Sequence, residues 1–405
     1  LGAEHFLGKP ANFAWHTLDF PAIFLPTFHE ALRRELADWR TIQVGDPRGG
    51  KATSSVVRDA GGRKVSVLTS ARYFLRKEDA WLVADLVPMR GSTLVELSME
   101  AVGVPAGWID ELLGRIEATF EGGAISGSRK MTPSGEELEL DRRYDWDDLF
   151  LDEGPKESLR KEIGGFFERK EQFTRMGLAH RRGLLLHGPP GTGKTLVGKI
   201  VASTIPDCVF IWVTAGLVTG PEEVASIFKV ARYCRRVILF FEDLDLYASQ
   251  RETAANSAAL GELLVQLDGM RSNNGILMIA TTNDLEAIEP ALKNRPSRFD
   301  RLIPFVSASE PIRLAHLSKM LLPFGANTET LALIARQTGG LTGAQLQELA
   351  FVARSRAAEA GASTIELDDL RAAARAAAEY KVKLVGFKPK RRLDEEDFLD
   401  QIGLR

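Results

Sequence analysis

Apolar positions along the chain follow two different rhythms, and the change between them divides it. Between Pro26 and Arg40, the residues Phe28, Leu32, Leu36 and Trp39 fall three or four apart, the spacing of a helix burying one face. Past the loop at 45–51 come three strand-like runs, Lys64–Arg72, Ala80–Val87 and Ser92–Met99. Gly61-Gly62 and Arg90-Gly91 punctuate them as turns punctuate a meander. Gly107–Phe120 predicts a helix packed on that sheet.

Residues 122–135 are rich in Gly and Ser and carry no apolar period, the texture of a linker. From about Asp141 amphipathic segments alternate with the runs GLLLHG (183–188), CVFIWV (208–213), VILFF (237–241), GILMIATT (275–282) and LIPFV (302–306). Runs this apolar on both pleat faces predict strands buried between helices, hence an α/β fold with a mostly parallel sheet. Residues 309–380 read as helical, with a Gly-Gly-Leu-Thr-Gly break at 339–343. The predicted organisation is an α+β N-terminal domain over 1–123, a linker over 124–140, a large α/β unit over 141–307 and a helical unit over 308–380. A charged tail over 381–405, basic and then acidic, reads as a solvated end.

Composition narrows the classes. A chain of 405 residues with 44% hydrophobic and 26% charged residues suits a folded protein of two or three domains. Lys+Arg 52 against Asp+Glu 55 gives a net charge of -3, so no global basic field draws the chain to nucleic acid or anionic membrane. Cys208 and Cys234 make no disulfide framework and sit in no metal spacing, which predicts a reducing, intracellular (cytoplasmic) compartment. No run of apolar residues is long enough for a spanning helix. The first residue is Leu1 rather than Met, so a longer chain is expected, with room upstream for a targeting or anchoring segment.

The most specific chemistry lies in Gly188-Pro189-Pro190-Gly191-Thr192-Gly193-Lys194-Thr195, which fits GxxxxGK[ST] between an apolar strand and the helix-like LVGKIVAST. Its glycines let backbone N–H groups turn inward as an anion nest, and the helix N-terminus adds its positive end. Lys194 is placed to charge-pair with β- and γ-phosphates, and Thr195 to offer a hydroxyl to Mg²⁺. At the end of VILFF, Glu242 and Asp243 are adjacent carboxylates, costly to bury unless a cation neutralises them. Glu242 is then the metal-side carboxylate and Asp243 the group that orients or deprotonates water; the bland alternative is a helix cap. After GILMIATT, Asn283 offers an amide to bridge the γ-phosphate and that water. The arginines of NRPSRFDR (294–301) read equally as a solvated patch or as guanidinium groups facing a neighbour's phosphate.

In order and spacing, this set resembles the AAA ATPase family over about residues 141–380. GPPGTGKT resembles its Walker A loop, residues 240–243 its Walker B, and Asn283 falls at its first sensor. RPSRFDR (295–301) resembles the arginine-finger segment, with Arg298 and Arg301 at the two trans-acting positions. GGLTGAQLQEL (339–349) resembles the lid signature, whose Gly343-Ala344 lies near adenine in family members. YDWDDLFLDEGPKESLRKEI (144–163) resembles the entry segment, which implies Asp148 and Leu149 near the base, and Leu196 follows the loop as part of the nucleotide-binding set. The resemblance implies a P-loop AAA module (a parallel sheet sandwiched by helices, plus a small helical lid), with ATP and Mg²⁺ as cofactors. It also implies a homo-oligomeric, usually hexameric, ring that remodels, disassembles or translocates protein clients, with residues 1–123 as the client-recognition part.

Three features depart from the family pattern. Walker B reads Glu242-Asp243 rather than Asp-Glu, as in the branch containing the mitochondrial chaperone that translocates the folded Rieske protein. The first pore-loop segment, TAGLVTGPEEV (214–224), has no aromatic to grip an extended chain. A residue is inserted before Pro296, so Arg295 takes no finger role. The remaining alternatives are a nucleic-acid-linked ATPase, disfavoured by the net charge, and a slow regulatory or scaffolding ATPase.

Overall fold

In a computed structural model the described residues are 6–7, 14–58, 63–89, 94–121, 129–218, 220–234, 236–249, 254–268, 275–288 and 299–384. The first part of the chain forms a six-stranded antiparallel sheet from β1 (Ala14–Pro21), β2 (Arg40–Gly45), β3 (Thr53–Arg58), β4 (Lys64–Lys77), β5 (Ala80–Pro88) and β6 (Leu94–Val102), in the order β1-β6-β5-β4-β2, with β3 also on β4. The helices α1 (Leu25–Glu35) and α2 (Trp108–Glu121) pack on each other beside it. Helix α1 ends five residues before the expected Arg40, because Arg40 opens β2. Leu36 and Trp39 are buried all the same, in the turn between, where they mimic helical spacing.

The second sheet is parallel throughout. Its order is β12-β8-β11-β10-β9-β7, from β7 (Arg129–Met131), β8 (Arg182–His187), β9 (Val209–Val213), β10 (Val237–Phe241), β11 (Ile276–Thr282) and β12 (Arg301–Pro304). Every residue of β9, β10 and β11 is buried, as strands covered on both faces must be. The apolar runs thus stand in the expected parallel α/β arrangement. The segment expected as linker does more than connect: Arg129–Met131 pairs with Val209–Ile211 and extends the sheet.

The helices α3 (Glu153–Gly164), α4 (Lys170–Arg175), α5 (Lys194–Thr204), α6 (Pro221–Arg232), α7 (Leu244–Ser249) and α8 (Ala254–Asp268) accompany this sheet. A separate apolar core, with Leu317, Leu331, Leu346 and Leu370 fully buried, joins α9 (Glu310–Leu321), α10 (Thr328–Gln337), α11 (Gly343–Glu359) and α12 (Leu367–Leu384). Thr342 starts α11 with a reciprocal capping box to Gln345, which explains why the glycine-rich break restarts as helix there. Among the described residues no helix is long and apolar enough to cross a membrane.

The two sheets are not separate bodies joined by a tether. One continuous apolar cluster runs from Phe20, Phe24, Phe28 and Phe120 to Phe228, Ile211 and Phe241. Tyr233, just past α6, lies edge-on to Phe24 and Phe120 and donates its hydroxyl to Glu117 at 2.8 Å. Lys229 of α6 donates to the Asp19 carbonyl. A buried aromatic cluster of this kind holds the antiparallel sheet against the helix that follows residues 214–220.

Candidate active site

The loop from Gly188 to Gly193 leaves β8 and enters α5 beneath α11. Gly188 has φ 146°, and a Cβ there would lie 1.9 Å from the Phe305 carbonyl oxygen, so no side chain fits. Gly191 has φ 77° and accepts from the Ala344 N–H at 3.0 Å, while a Cβ on it would meet Ala344 at 2.8 Å. The loop and the start of α11 are therefore in backbone contact, which brings Gly343-Ala344 to the phosphate loop. Between them opens a cleft of about 700 Å³.

Most of the sequence-predicted set lines this cleft: Asp148, Leu149, Pro190, Gly191, Thr192, Gly193, Lys194, Thr195, Leu196, Asp243, Asn283, Gly343 and Ala344. Gly188 and Pro189 instead turn their carbonyls to Lys194, whose Nζ donates to them at 2.7 and 2.8 Å. Burial holds the Lys194 ammonium down at about 8, against the opposing pull of Asp243 and Asp245. An ammonium parked on neutral carbonyls in a glycine cradle is poised for a stronger anionic partner, and a triphosphate fits that requirement.

The carboxylates divide their tasks. Glu242 Oε1 accepts from the Thr195 hydroxyl at 2.6 Å, and Oε2 from the Trp212 indole N–H at 3.1 Å. Hydroxyl and carboxylate oxygens side by side suit Mg²⁺, which takes few protein ligands and completes its shell with phosphates and water. Asp243 adopts φ 53°, a left-handed conformation unusual outside glycine. Its backbone N–H donates to Thr281 Oγ1 at 2.9 Å, and its Oδ1 accepts from Asn283 Nδ2 at 3.1 Å. Burial, then the Asp245 and Glu242 charges, raise its carboxyl above the ordinary aspartate value. That direction suits a group that takes a proton from water. Asp245 in turn accepts from the Thr282 hydroxyl and the Asn283 N–H, both at 2.9 Å, fixing the turn that carries the amide.

At the other end, Asp148 accepts from Arg142 at 3.0 Å, Lys319 at 3.1 Å and the Asp145 N–H at 3.1 Å. Burial pushes its carboxyl up, but these donors outweigh burial and bring it to about 2. Sequence reasoning missed His316. It stacks on Phe150 at 3.9 Å between ring centroids, lines the cleft, and has a buried Nδ1 with no partner among the described residues. Burial holds it at about 4, so it presents a neutral imidazole. Phe150 and His316 are far apart in sequence, and a lone histidine on a helix carries no spacing signal.

The arginine segment divides. Arg298 lies outside the described residues. Arg301 opens β12 and is not one of the residues lining the cleft, and its Nε is 3.3 Å from Glu162 of the same chain, which also pairs with Arg182 at 3.3 Å and Arg169 at 3.9 Å.

The family described as ATPase family associated with various cellular activities (AAA) matches residues 184–307. Curated relatives include the ATP-dependent zinc metalloprotease FtsH of Streptococcus pneumoniae, 34% identical over 52% of this chain and 34% of its own length. FtsH 1 of Salinibacter ruber is 34% identical over 56% of this chain and 35% of its own length. Protein CdcH of Halobacterium salinarum is 29% identical over 76% of this chain and 41% of its own length. The chain therefore spans from about a third to two fifths of these relatives.

Proposed function

We propose, from the premise that this chain belongs to the AAA ATPases, that it hydrolyses ATP in the cleft between the parallel sheet and the helical lid and uses the turnover to act on protein clients. One observation carries the reading. Lys194, Thr195, Asp243 and Asn283 come from three separate segments and line one cleft, with Asn283 bonded to Asp243 and Thr195 bonded to Glu242.

Lys194 exchanges its loop carbonyls for the β- and γ-phosphates. Thr195 and Glu242 would hold Mg²⁺, which would supply positive charge to neutralise the phosphate oxygens. Asn283 and Asp243 hold the attacking water, and Asp243 takes its proton as the water oxygen bonds to the γ-phosphorus and the bond to ADP breaks. His316, Asp148 and Leu149 frame the base. Asp243 is a methylene shorter than a glutamate, and its left-handed backbone moves the carboxylate relative to a regular strand exit.

The name of these relatives, ATP-dependent zinc metalloprotease, joins ATP to action on protein, and that part alone is carried to this chain. Among the described residues no group of three or more His, Cys, Asp or Glu is placed to hold a metal. AAA proteins generally oligomerise. We assign Arg298 and Arg301 to a neighbouring copy's γ-phosphate in a ring, hexameric by family pattern, and client recognition to residues 1–123. Arg298→Ala should bind ATP as a protomer and fail to hydrolyse it. Mixing it with Lys194→Ala should restore part of the turnover, because mixed interfaces join an intact loop to an intact arginine. No recovery in verified mixed assemblies would contradict the trans assignment.

A further inference from the structure

Trp212 takes no part in the phosphate-loop chemistry as read from sequence, yet its indole touches the metal-side carboxylate. Strand pairing sets Trp212 of β9 beside Phe240 of β10, and Glu242 follows two residues beyond Phe240 on the same sheet face. The indole Nε1 donates to Glu242 Oε2 at 3.1 Å while Thr195 occupies Oε1 at 2.6 Å. The ring is anchored by Phe240 at 4.7 Å and Phe210 at 5.9 Å between centroids, and Trp212 is only 9% exposed.

An indole N–H donates and never accepts. It therefore favours one carboxylate orientation, with an acceptor oxygen facing β9, and leaves Oε1 beside Thr195 for a shared cation. Phenylalanine could fill the same apolar space without that bond. A plain core residue needs no donor here, and a tryptophan whose N–H ends on a charged oxygen is placed by more than packing.

We infer that Trp212 is a positioning residue of the magnesium site: it clamps Glu242 in the orientation that shares the cation with Thr195. The inference rests on the proposed role of Glu242 as metal-side carboxylate. Two residues later β9 has given way to Thr214 and the short turn Ala215–Leu217.

The test is the ratio of ADP affinities measured with and without Mg²⁺ on the full chain. Trp212→Phe should lower that ratio about tenfold, the scale of one hydrogen bond to a charged group. A residue of purely structural importance would weaken both affinities together and keep the ratio, and that result overturns the proposal. Glu242→Gln, measured in parallel, separates the two layers. If Glu242→Gln loses the Mg²⁺ effect and Trp212→Phe does not, the clamp fails alone; if Glu242→Gln keeps it, the metal reading beneath fails. Should Trp212→Phe not fold, indole emission decides. Mg²⁺ added to the ADP-saturated wild-type chain should change the emission, and this change should be absent from Glu242→Gln. An unchanged wild-type spectrum overturns the clamp.

Discussion

Asn283 and Asp243 lie just past the ends of the neighbouring strands β11 and β10 and are joined by a 3.1 Å hydrogen bond from the amide nitrogen to Oδ1. The bond fixes the carboxylate's direction, and the Asp245 carboxylate beneath fixes the amide's own backbone. Asn283→Ala should therefore lower kcat about 10- to 100-fold, with nucleotide affinity nearly kept, because orientation rather than binding is lost. Steady-state hydrolysis alongside equilibrium binding checks it, and a weakened affinity with intact kcat would count against the assignment.

Lys194 gives the binding step a pH signature. Its pKa in the ligand-free fold is about 8, below the unfolded value, because burial penalises the charged form. That penalty is full below about pH 8 and is relieved as pH rises toward the unfolded value near 10.4, so this group adds stability with rising pH across that window. Nucleotide binding runs the other way, since phosphates restore the proton. Affinity should be level below about pH 8 and fall by up to about tenfold per pH unit above it. Calorimetry in buffers of different ionisation heat should show proton uptake above that point; a flat profile would contradict the charge role.

Glu162 gathers Arg301, Arg182 and Arg169 and is itself largely buried. Removing its charge leaves these guanidinium groups without the carboxylate they share among the described residues. Glu162→Gln should cost about 2–3 kcal/mol, less than a fully enclosed pair because Arg301 is mostly exposed. Denaturant titration reads this directly, and an unchanged midpoint would show that the arginines need no common partner.

Phe120 is fully buried between Phe20, Phe24 and Tyr233, where the antiparallel sheet meets α6. Phe120→Ala should cost about 3–5 kcal/mol through lost burial and the cavity left behind. Unfolding followed by near-ultraviolet signal should show the loss, and a cost below about 1 kcal/mol would mean that the site collapses freely.

Legibility in the sequence followed the range of the interactions. The strands β8 to β11 were legible because burial on both faces leaves unbroken apolar runs, and Gly188–Thr195 because its chemistry is local. Strands β1 to β3 were not: Arg40–Val44 and Thr53–Val56 are exposed, and both strands are short of apolar alternation. Arg129–Met131 hides beside a glycine-rich stretch because three residues suffice to pair once β9 is in place. The Glu242–Asp243 and Asn283 assignments came from strand ends that the fold brings together. His316, Arg142, Lys319 and Trp212 meet their partners only through tertiary packing and left no spacing to read.

Asp243→Asn, with ATP binding and hydrolysis measured on the same preparation, shows whether Asp243 activates water beside a nucleotide held by Lys194. The variant should hold ATP with near wild-type affinity and turn it over at least about 100-fold more slowly, because the amide keeps the shape and cannot take the proton. Hydrolysis at the wild-type rate would contradict it.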